Sequence, residues 1–325
     1  MKAIICTRYG SPDVLKLDEI RNPSPKDNEV LVKIYAASVN AADLELLQGS
    51  PFIRLASPFR PICRILGSDI AGVVMETGTG IKHLRSGDEV FADLSVCGYG
   101  AFAEYVCVPE HVLTIKPPSI TFEQASTLPQ AAILALQGLR DNKKISPGDK
   151  VLINGAGGGV GTFAVQIAKY FEAEVTGVDK SNKFDLLKSL GADHVIDYTK
   201  EDFTISGNTY DLIIDVVAKR RVSEYERALK PGGACSLVGG SVSSILQSLI
   251  MGPRIIKEKG KKIDILRWKP NNKEDLEFLI KLIESGKVKP FIERCFPLDR
   301  TPEALNHLKT GNALGKLVIT IKQNI

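Results

Sequence analysis

No apolar run in the chain approaches the roughly 20 residues that a bilayer-spanning helix needs, so a helical membrane protein is excluded and no membrane partner is expected. Cysteine is sparse and scattered. Positions 6, 63, 97, 107, 235 and 295 form no C-x-x-C pair and no Cys/His cluster. That argues against structural zinc or a disulfide framework, and for reduced thiols in a cytoplasmic core. Histidine is scarcer still, and His83, His111, His194 and His307 match no catalytic pattern. An excess of one charge is missing as well: 42 basic and 38 acidic residues leave a net charge of +4, too small and dispersed to imply nucleic acid. The opening Met1-Lys-Ala-Ile-Ile-Cys-Thr-Arg8 lacks the apolar core and cleavage site of a secretory signal. The expected compartment is the cytoplasm. No internal repeat or low-complexity segment is present.

What the chain does have is a glycine-dense turn between two apolar segments, Val151-Leu-Ile-Asn-Gly-Ala-Gly-Gly-Gly-Val-Gly-Thr-Phe-Ala-Val-Gln-Ile-Ala168. It reads as strand, turn and helix of a dinucleotide site. In a G-x-G-x-x-G fingerprint the first slot makes the tight turn, the second lets the backbone approach a diphosphate, and the third lets helix and strand pack closely. Ala156, Gly158 and Gly161 fall on those slots, with Gly157, Gly159 and Val160 between them. The free N–H groups at the start of the following helix favour an anion there. Val160, Phe163, Ala164, Ile167, Ala168 and Phe171 keep helical spacing, and Val151-Leu-Ile153 is uniformly apolar, as in a parallel strand buried on both faces. A phosphoryl-transfer P-loop would need Lys after its last glycine, and Thr162 stands there.

Ala173–Asp179 supplies the second strand, ending in a residue that can read a ribose. Strands are predicted at 192–198, 210–217 and 234–239, with helices at 184–190 and 223–229 between them. Alternation of this kind implies a parallel sheet covered on both faces. The first 120 or so residues differ: short β-prone runs at 2–6, 30–36, 70–75, 89–92 and 102–108, broken by Gly or Pro, suggest a small antiparallel barrel or sandwich. Further on, 121–139 reads as a helix entry and buried helix, 241–252 as a helix, 254–273 as a basic solvated loop leading to an edge strand at 262–268, 276–285 as an amphipathic helix, and 317–321 as a last strand.

Together these segments resemble the medium-chain dehydrogenase/reductase superfamily, in its zinc-independent quinone oxidoreductase-like branch. The resemblance runs through Tyr9-Gly10, Ala37-Ser-Val-Asn-Ala-Ala-Asp43, Leu66-Gly-Ser-Asp-Ile-Ala-Gly-Val-Val74, Ser86-Gly-Asp-Glu-Val-Phe91, Gly100-Ala-Phe-Ala-Glu-Tyr-Val106, the glycine turn, Ser189–Tyr198 and Gly315-Lys-Leu-Val318. It implies an α/β fold: a central Rossmann doubly wound parallel sheet plus a GroES-like β-rich catalytic domain. The expected division is residues 1–122 catalytic, 123–265 NAD(P)-binding, and 266–325 returning to the first domain, with the active site between them. Zinc-dependent relatives carry Cys and His where this chain has Asn40 and Ser68, so no metal is expected.

By the same resemblance Asn40 and Asp43 are the candidate catalytic residues, with Ala41 and Ala42 against the cofactor. Val216, Val238, Gly239, Gly240 and Ser241 approach its ribose and nicotinamide, and Tyr198 its adenosine end. Some relatives carry a tyrosine proton donor near Glu45, and Tyr35 and Tyr99 are the alternatives here. Asp179 favours NAD(H), whereas Lys180 and Lys183 suit a 2′-phosphate; the balance is set toward NADP(H), with NAD(H) kept open. The resemblance implies hydride transfer to a small-molecule quinone or α,β-unsaturated carbonyl by a homodimer, the proton coming from water. Two rivals stay open: an enoyl-thioester reductase, and a non-catalytic nucleotide-sensing or polyanion-binding protein.

Overall fold

The computed structural model describes residues 1–240 and 242–321. In chain order its strands and helices begin with β1 (Lys2–Ile5), β2 (Lys16–Glu19), β3 (Glu29–Val39), α1 (Ala41–Gln48), α2 (Pro51–Ala56), β4 (Asp69–Thr77), β5 (Glu89–Asp93), β6 (Tyr105–Pro109), β7 (Thr114–Ile115) and α3 (Phe122–Ser126). A central run follows: α4 (Ile133–Arg140), β8 (Lys150–Asn154), α5 (Gly159–Tyr170), β9 (Glu174–Asp179), α6 (Phe184–Ser189), β10 (His194–Asp197), β11 (Tyr210–Asp215), α7 (Val222–Ala228), β12 (Leu229–Leu237), α8 (Val242–Lys259) and β13 (Lys262–Ile265). The chain ends with α9 (Lys273–Glu284), β14 (Ile292–Pro297), α10 (Thr301–Lys309) and β15 (Lys316–Thr320).

Two compact units result. The first takes residues 1–130, 270–280 and 292–325, and the second takes 131–269 and 281–291. In the first unit a seven-stranded sheet runs β14-β15-β3-β4-β5-β7, with β6 added to β3, beside a small β1-β2 pair. The long strand β3 organises it, because its alternating apolar residues Val30, Val32 and Ile34 feed a core with Ile70, Val74, Val90, Phe102 and Leu317. β15 pairs antiparallel with β3, so the end of the chain is built into the N-terminal sheet.

In the second unit all six strands are parallel, in the order β10-β9-β8-β11-β12-β13. Counted along the chain from β8, that is the 3-2-1-4-5-6 order of a Rossmann sheet, and its switch point lies between β8 and β11. The glycine turn leaves β8 at that point.

Several local expectations change. The helix predicted at 241–252 continues to Lys259 as α8, through Gly252 and Pro253, over part of the span expected as loop. Packing overrides the two helix breakers. A Cβ on Gly252 would lie 2.6 Å from the Ile263 carbonyl, so that glycine lets α8 lie tightly on β13, and Ile255 is buried beneath it. The buried helix at 121–139 is divided into α3, a π-helical turn at 128–132 and α4. Strands β2, β7 and β14 and helices α1, α2 and α10 carry no sequence expectation. By contact the second unit takes residues 131–269 and 281–291, where the sequence predicts 123–265.

Candidate functional site

In the second unit the site begins where β8 ends. Gly155 has φ +83°, and its missing side chain leaves room for Val216, whose Cγ2 would lie 2.5 Å from a Cβ there. The tight turn therefore falls on Gly155, one residue before the Ala156 slot read from the sequence, and Ala156 is buried under the turn. Gly161 is the close-packing position. A Cβ on it would stand 2.3 Å from the Gly155 carbonyl oxygen and 2.5 Å from Ala156 Cα. Gly158 is the open one, since a Cβ there would meet only the Gly155 oxygen, at 3.4 Å.

Gly158 is also the N-cap of α5 and offers no capping side chain. The first intrahelical bond runs from the Thr162 N–H to the Gly158 carbonyl. The N–H groups of Gly159, Val160 and Gly161 precede it and open on bare main chain, which is the arrangement that binds a phosphate at a helix N-terminus.

Asp179 ends β9 beside this turn. Its carboxylate accepts the Gly157 N–H at 2.9 Å and the Lys180 N–H at 2.9 Å, and the Lys183 ammonium lies 3.4 Å away. Asp179 and Lys183 are both buried. The acid thus holds the turn as well as standing at the ribose position, and the lysine is part of the packed strand end. Because β10 pairs with β9 in register, Asp197 lies opposite Asp179, and the exposed Tyr198 follows it on the same edge. Asp179, Lys180, Lys183 and Tyr198 are thereby brought together.

One anchor here was not read from the sequence. Asp215, fully buried at the end of β11, accepts the N–H groups of Val217 and Ala218, the Asn154 amide and the Tyr225 hydroxyl. It ties the ends of β8 and β11 to the loop carrying Val216. Val238 donates to the Asp215 carbonyl, and Gly239 and Gly240 follow with φ +79° and +124°. A Cβ on Gly240 would collide with Ala218 at 2.4 Å. Ser241 lies outside the described residues. A cavity of about 300 Å³ lies at the opposite end of the strands, lined by Lys150, Glu174, His194 and Tyr210 where β8, β9, β10 and β11 begin.

In the first unit, strand register gathers a buried polar cluster. Asp69 on β4 lies opposite Ser38 on β3 and Asp93 on β5, and Lys316 starts β15 beside Val39 and Asn40. Asn40 Nδ2 donates to Asp69 Oδ2 at 2.9 Å and to Ser68 Oγ at 3.3 Å, and Ser38 Oγ donates to the same Asp69 oxygen at 3.0 Å. The Lys316 ammonium donates to Asn40 Oδ1 at 2.6 Å and to the Val39 carbonyl at 3.2 Å, and lies 3.8 Å from Asp69 Oδ2. The other Asp69 oxygen has no hydrogen-bond partner among the described residues. Asp43 Oδ2 accepts the Asn40 N–H at 2.8 Å at the start of α1.

Burial dominates the electrostatics of this cluster. It pushes the Asp43 carboxyl up to about 7, against the pull of the Asn40 N–H and the Lys316 charge. The carboxyls of Asp69 and Asp93 are raised for the same reason, and the Lys316 ammonium is pushed down by burial while its acidic neighbours hold it up. Both polar ends of the Asn40 side chain are engaged by protein groups. Ala41 and Ala42 follow it at the exposed start of α1.

Tyr35 stacks on Phe122, and Tyr99 packs against the first core, so both rings have packing roles. His83 and His111 are exposed, and His194 and His307 contact Glu174 and Glu293. Lys316 and Asp93 had no site assignment from sequence. Lys316 lies in the Gly315-Lys-Leu-Val318 segment of the family resemblance, but only the pairing of β15, β3, β4 and β5 brings it and Asp93 to Asn40.

Residues 26–118 match the family described as alcohol dehydrogenase GroES-like domain, and residues 190–319 match zinc-binding dehydrogenase. The 2-methylene-furan-3-one reductase of Solanum lycopersicum is 35% identical over 330 residues, covering 98% of this chain and 79% of that protein. The chloroplastic NADPH-dependent alkenal/one oxidoreductase of Arabidopsis thaliana is 34% identical with the same coverage. The solved quinone oxidoreductase of Coxiella burnetii superposes with a TM-score of 0.87 at 32% identity, covering 99% of each chain.

Proposed function

The chain belongs to the medium-chain dehydrogenase/reductase superfamily, in its zinc-independent quinone oxidoreductase-like branch, and from that premise we propose that it reduces quinones or α,β-unsaturated carbonyls with NAD(P)H. The observation that carries the reading is the uncapped start of α5, where Gly159, Val160 and Gly161 present main-chain N–H groups beside the open Gly158. A diphosphate bridge fits there, because nothing but backbone stands at the position of closest approach. The bound dinucleotide supplies the hydride. The protein's own work is to fix the diphosphate at α5 and to hold the ribose-bearing end at Asp179. It also sets the strand-end loops of Val216 and Gly239 through Asp215.

The residues at the corresponding metal position do not suit zinc. Asn40 and Ser68 are poor ligands, and the Asn40 carboxamide is already committed to Lys316 and Asp69. An acceptor that is already electron-poor needs no metal to activate it, since its conjugated oxygen takes up the charge as hydride arrives. A proton from water then completes the saturated carbonyl or the quinol.

NADP(H) is the favoured cofactor. Lys180 and Lys183 flank the strand end with Tyr198, and the Asp179 carboxylate is occupied by the Gly157 N–H and the Lys183 ammonium, which weakens its repulsion of a 2′-phosphate. The Arabidopsis relative is named as NADPH-dependent, which supports that choice. A cytoplasmic homodimer is part of the same reading. Six unpaired thiols support a reducing compartment, and the exposed Leu246, Leu249, Ile250 and Met251 on α8 support cover by a second copy.

Initial rates with NADPH and NADH against a small quinone and an enal test the proposal. Turnover of both acceptors, with about tenfold or greater preference for NADPH, is expected. Tight cofactor binding without turnover of either acceptor would leave a binding protein instead.

A further inference from the structure

We infer that Lys316 is a positioning residue that supplies the fixed cation of the first unit's polar cluster and sets the orientation of the Asn40 carboxamide. The inference rests on the hydride-transfer reading above, in which Asn40 belongs to the reacting half of the enzyme. It arises from the misfit with a metal: the two positions where zinc-dependent relatives carry Cys and His hold Asn40 and Ser68, and the positive charge beside them is an ammonium.

An ammonium has donors only. With Lys316 Nζ 2.6 Å from the Asn40 side chain, the atom facing it must be the amide oxygen, and the amide nitrogen must then point away. It does so toward acceptors, Asp69 Oδ2 at 2.9 Å and Ser68 Oγ at 3.3 Å. A flipped amide would place its NH2 against the ammonium and its oxygen against a carboxylate, losing the bonds to Lys316 and Asp69 and keeping only the one to Ser68, whose hydroxyl can turn to donate. The lysine therefore selects one of two orientations that are otherwise nearly equal in shape.

The charge matters as much as the donors. The titratable groups around Lys316 are Asp43 at the start of α1, Asp69 on β4 and Asp93 on β5, all with fully buried side chains, and all acidic. Lys316 comes from a fourth element, β15, and is itself only 2% exposed. Remove it and any negative charge left on the cluster opposes the negative charge that develops on an acceptor carbonyl, an effect little screened in a dry interior. The loss should grow as the acceptor becomes less able to delocalise charge by itself.

Deleting the lysine alone leaves buried acids uncompensated, so Lys316→Met is expected to fold poorly. The informative comparison is Asp69→Asn against Asp69→Asn/Lys316→Met, in which the second change removes the lysine from a cluster already one acid poorer. Lys316→Arg serves as the conservative variant. With NADPH saturating, the double variant should lose about 100-fold in kcat on a simple enone and about tenfold on a quinone relative to Asp69→Asn, with KM moving less than about threefold. Lys316→Arg should keep most of the rate on both acceptors.

A second readout needs no turnover. In selectively labelled protein, the Asn40 side-chain amide protons should exchange about tenfold faster in the double variant than in Asp69→Asn. A folded double variant with unchanged kcat on both acceptors, or with unchanged Asn40 exchange, overturns the inference. If the parent protein reduces no acceptor, the hydride-transfer reading fails, and the amide exchange still decides whether Lys316 holds Asn40.

Discussion

The two units hold their polar groups by opposite means. In the second, the working surface is main chain: N–H groups at the start of α5 stand clear because the residues around them are glycines, and side chains such as Asp179 and Asp215 brace the turn from behind. In the first, the polar groups are side chains sunk into a sheet, with Asp43, Asp69 and Asp93 around one lysine. The same acid behaves differently in each. Burial raises the carboxyls of the Asp43, Asp69 and Asp93 cluster, whereas in the second unit the part-exposed Asp193 and Asp211 are held low. There, partial burial is outweighed by Lys169 and the Val175 N–H for one, and by Lys230 and the Lys150 N–H for the other. A backbone site demands empty space and tolerates water. A buried side-chain site demands charge balance.

The sharpest way to break that contrast is to fill the space. Gly161→Val should cost the second unit about 4 kcal/mol or more, because its Cβ would overlap the Gly155 carbonyl and Ala156 Cα. Thermal unfolding reads the loss, and a wild-type midpoint would show that the turn can yield. Gly158→Val separates binding from folding. Its Cβ has room and its φ of −88° suits any residue, so the midpoint should stay near that of the parent while NADPH affinity falls about 100-fold by fluorescence titration. Unchanged affinity would remove the diphosphate from this turn.

The difference between the units also governs what could be read from sequence. The turn at 155–161 was legible because its chemistry is local: strand, glycines and helix follow one another, and the physical need for bare backbone is written in consecutive residues. Even there the tight turn was read at Ala156, one residue past Gly155, since a fingerprint gives spacing and not φ. The parallel sheet was legible from alternating elements, but α8 was cut short at Gly252-Pro253, where close packing on β13 defeats two breakers. The acid cluster was not legible. Asn40, Asp69, Asp93 and Lys316 meet through the register of four strands, and a lysine opening an apolar strand carries no sign that it will be buried.

Changing the acids themselves tests the contrast in pH. Asp43 has its carboxyl raised from 3.8 to about 7 in the folded protein. A folded state that holds its proton more tightly than the unfolded chain loses stability as pH rises between those two values, and the loss is complete above the upper one. Asp43→Asn has no proton to lose and keeps an oxygen for the Asn40 N–H. The variant should therefore gain on the parent by about 3 kcal/mol between roughly pH 4 and pH 7 in urea unfolding. A difference that does not change with pH would mean that Asp43 is ionised in the fold.

The smallest effect has the opposite sign. Asp193 meets the Lys169 ammonium at 2.7 Å and accepts the Val175 N–H at 2.7 Å, and its carboxyl lies below the usual range. A depressed carboxyl stabilises the fold above the unfolded value and stops doing so as pH falls through the folded one. Asp193→Asn should thus be less stable than the parent at neutral pH and converge with it in acid. More than a third of that side chain is exposed, so added salt should shrink the difference, as water and ions screen the pair. The Asp43 difference should ignore salt, because no ions reach a buried carboxyl. If both variants respond to salt alike, the first unit's cluster is wet, and the division between a backbone site open to water and a side-chain site closed to it no longer holds.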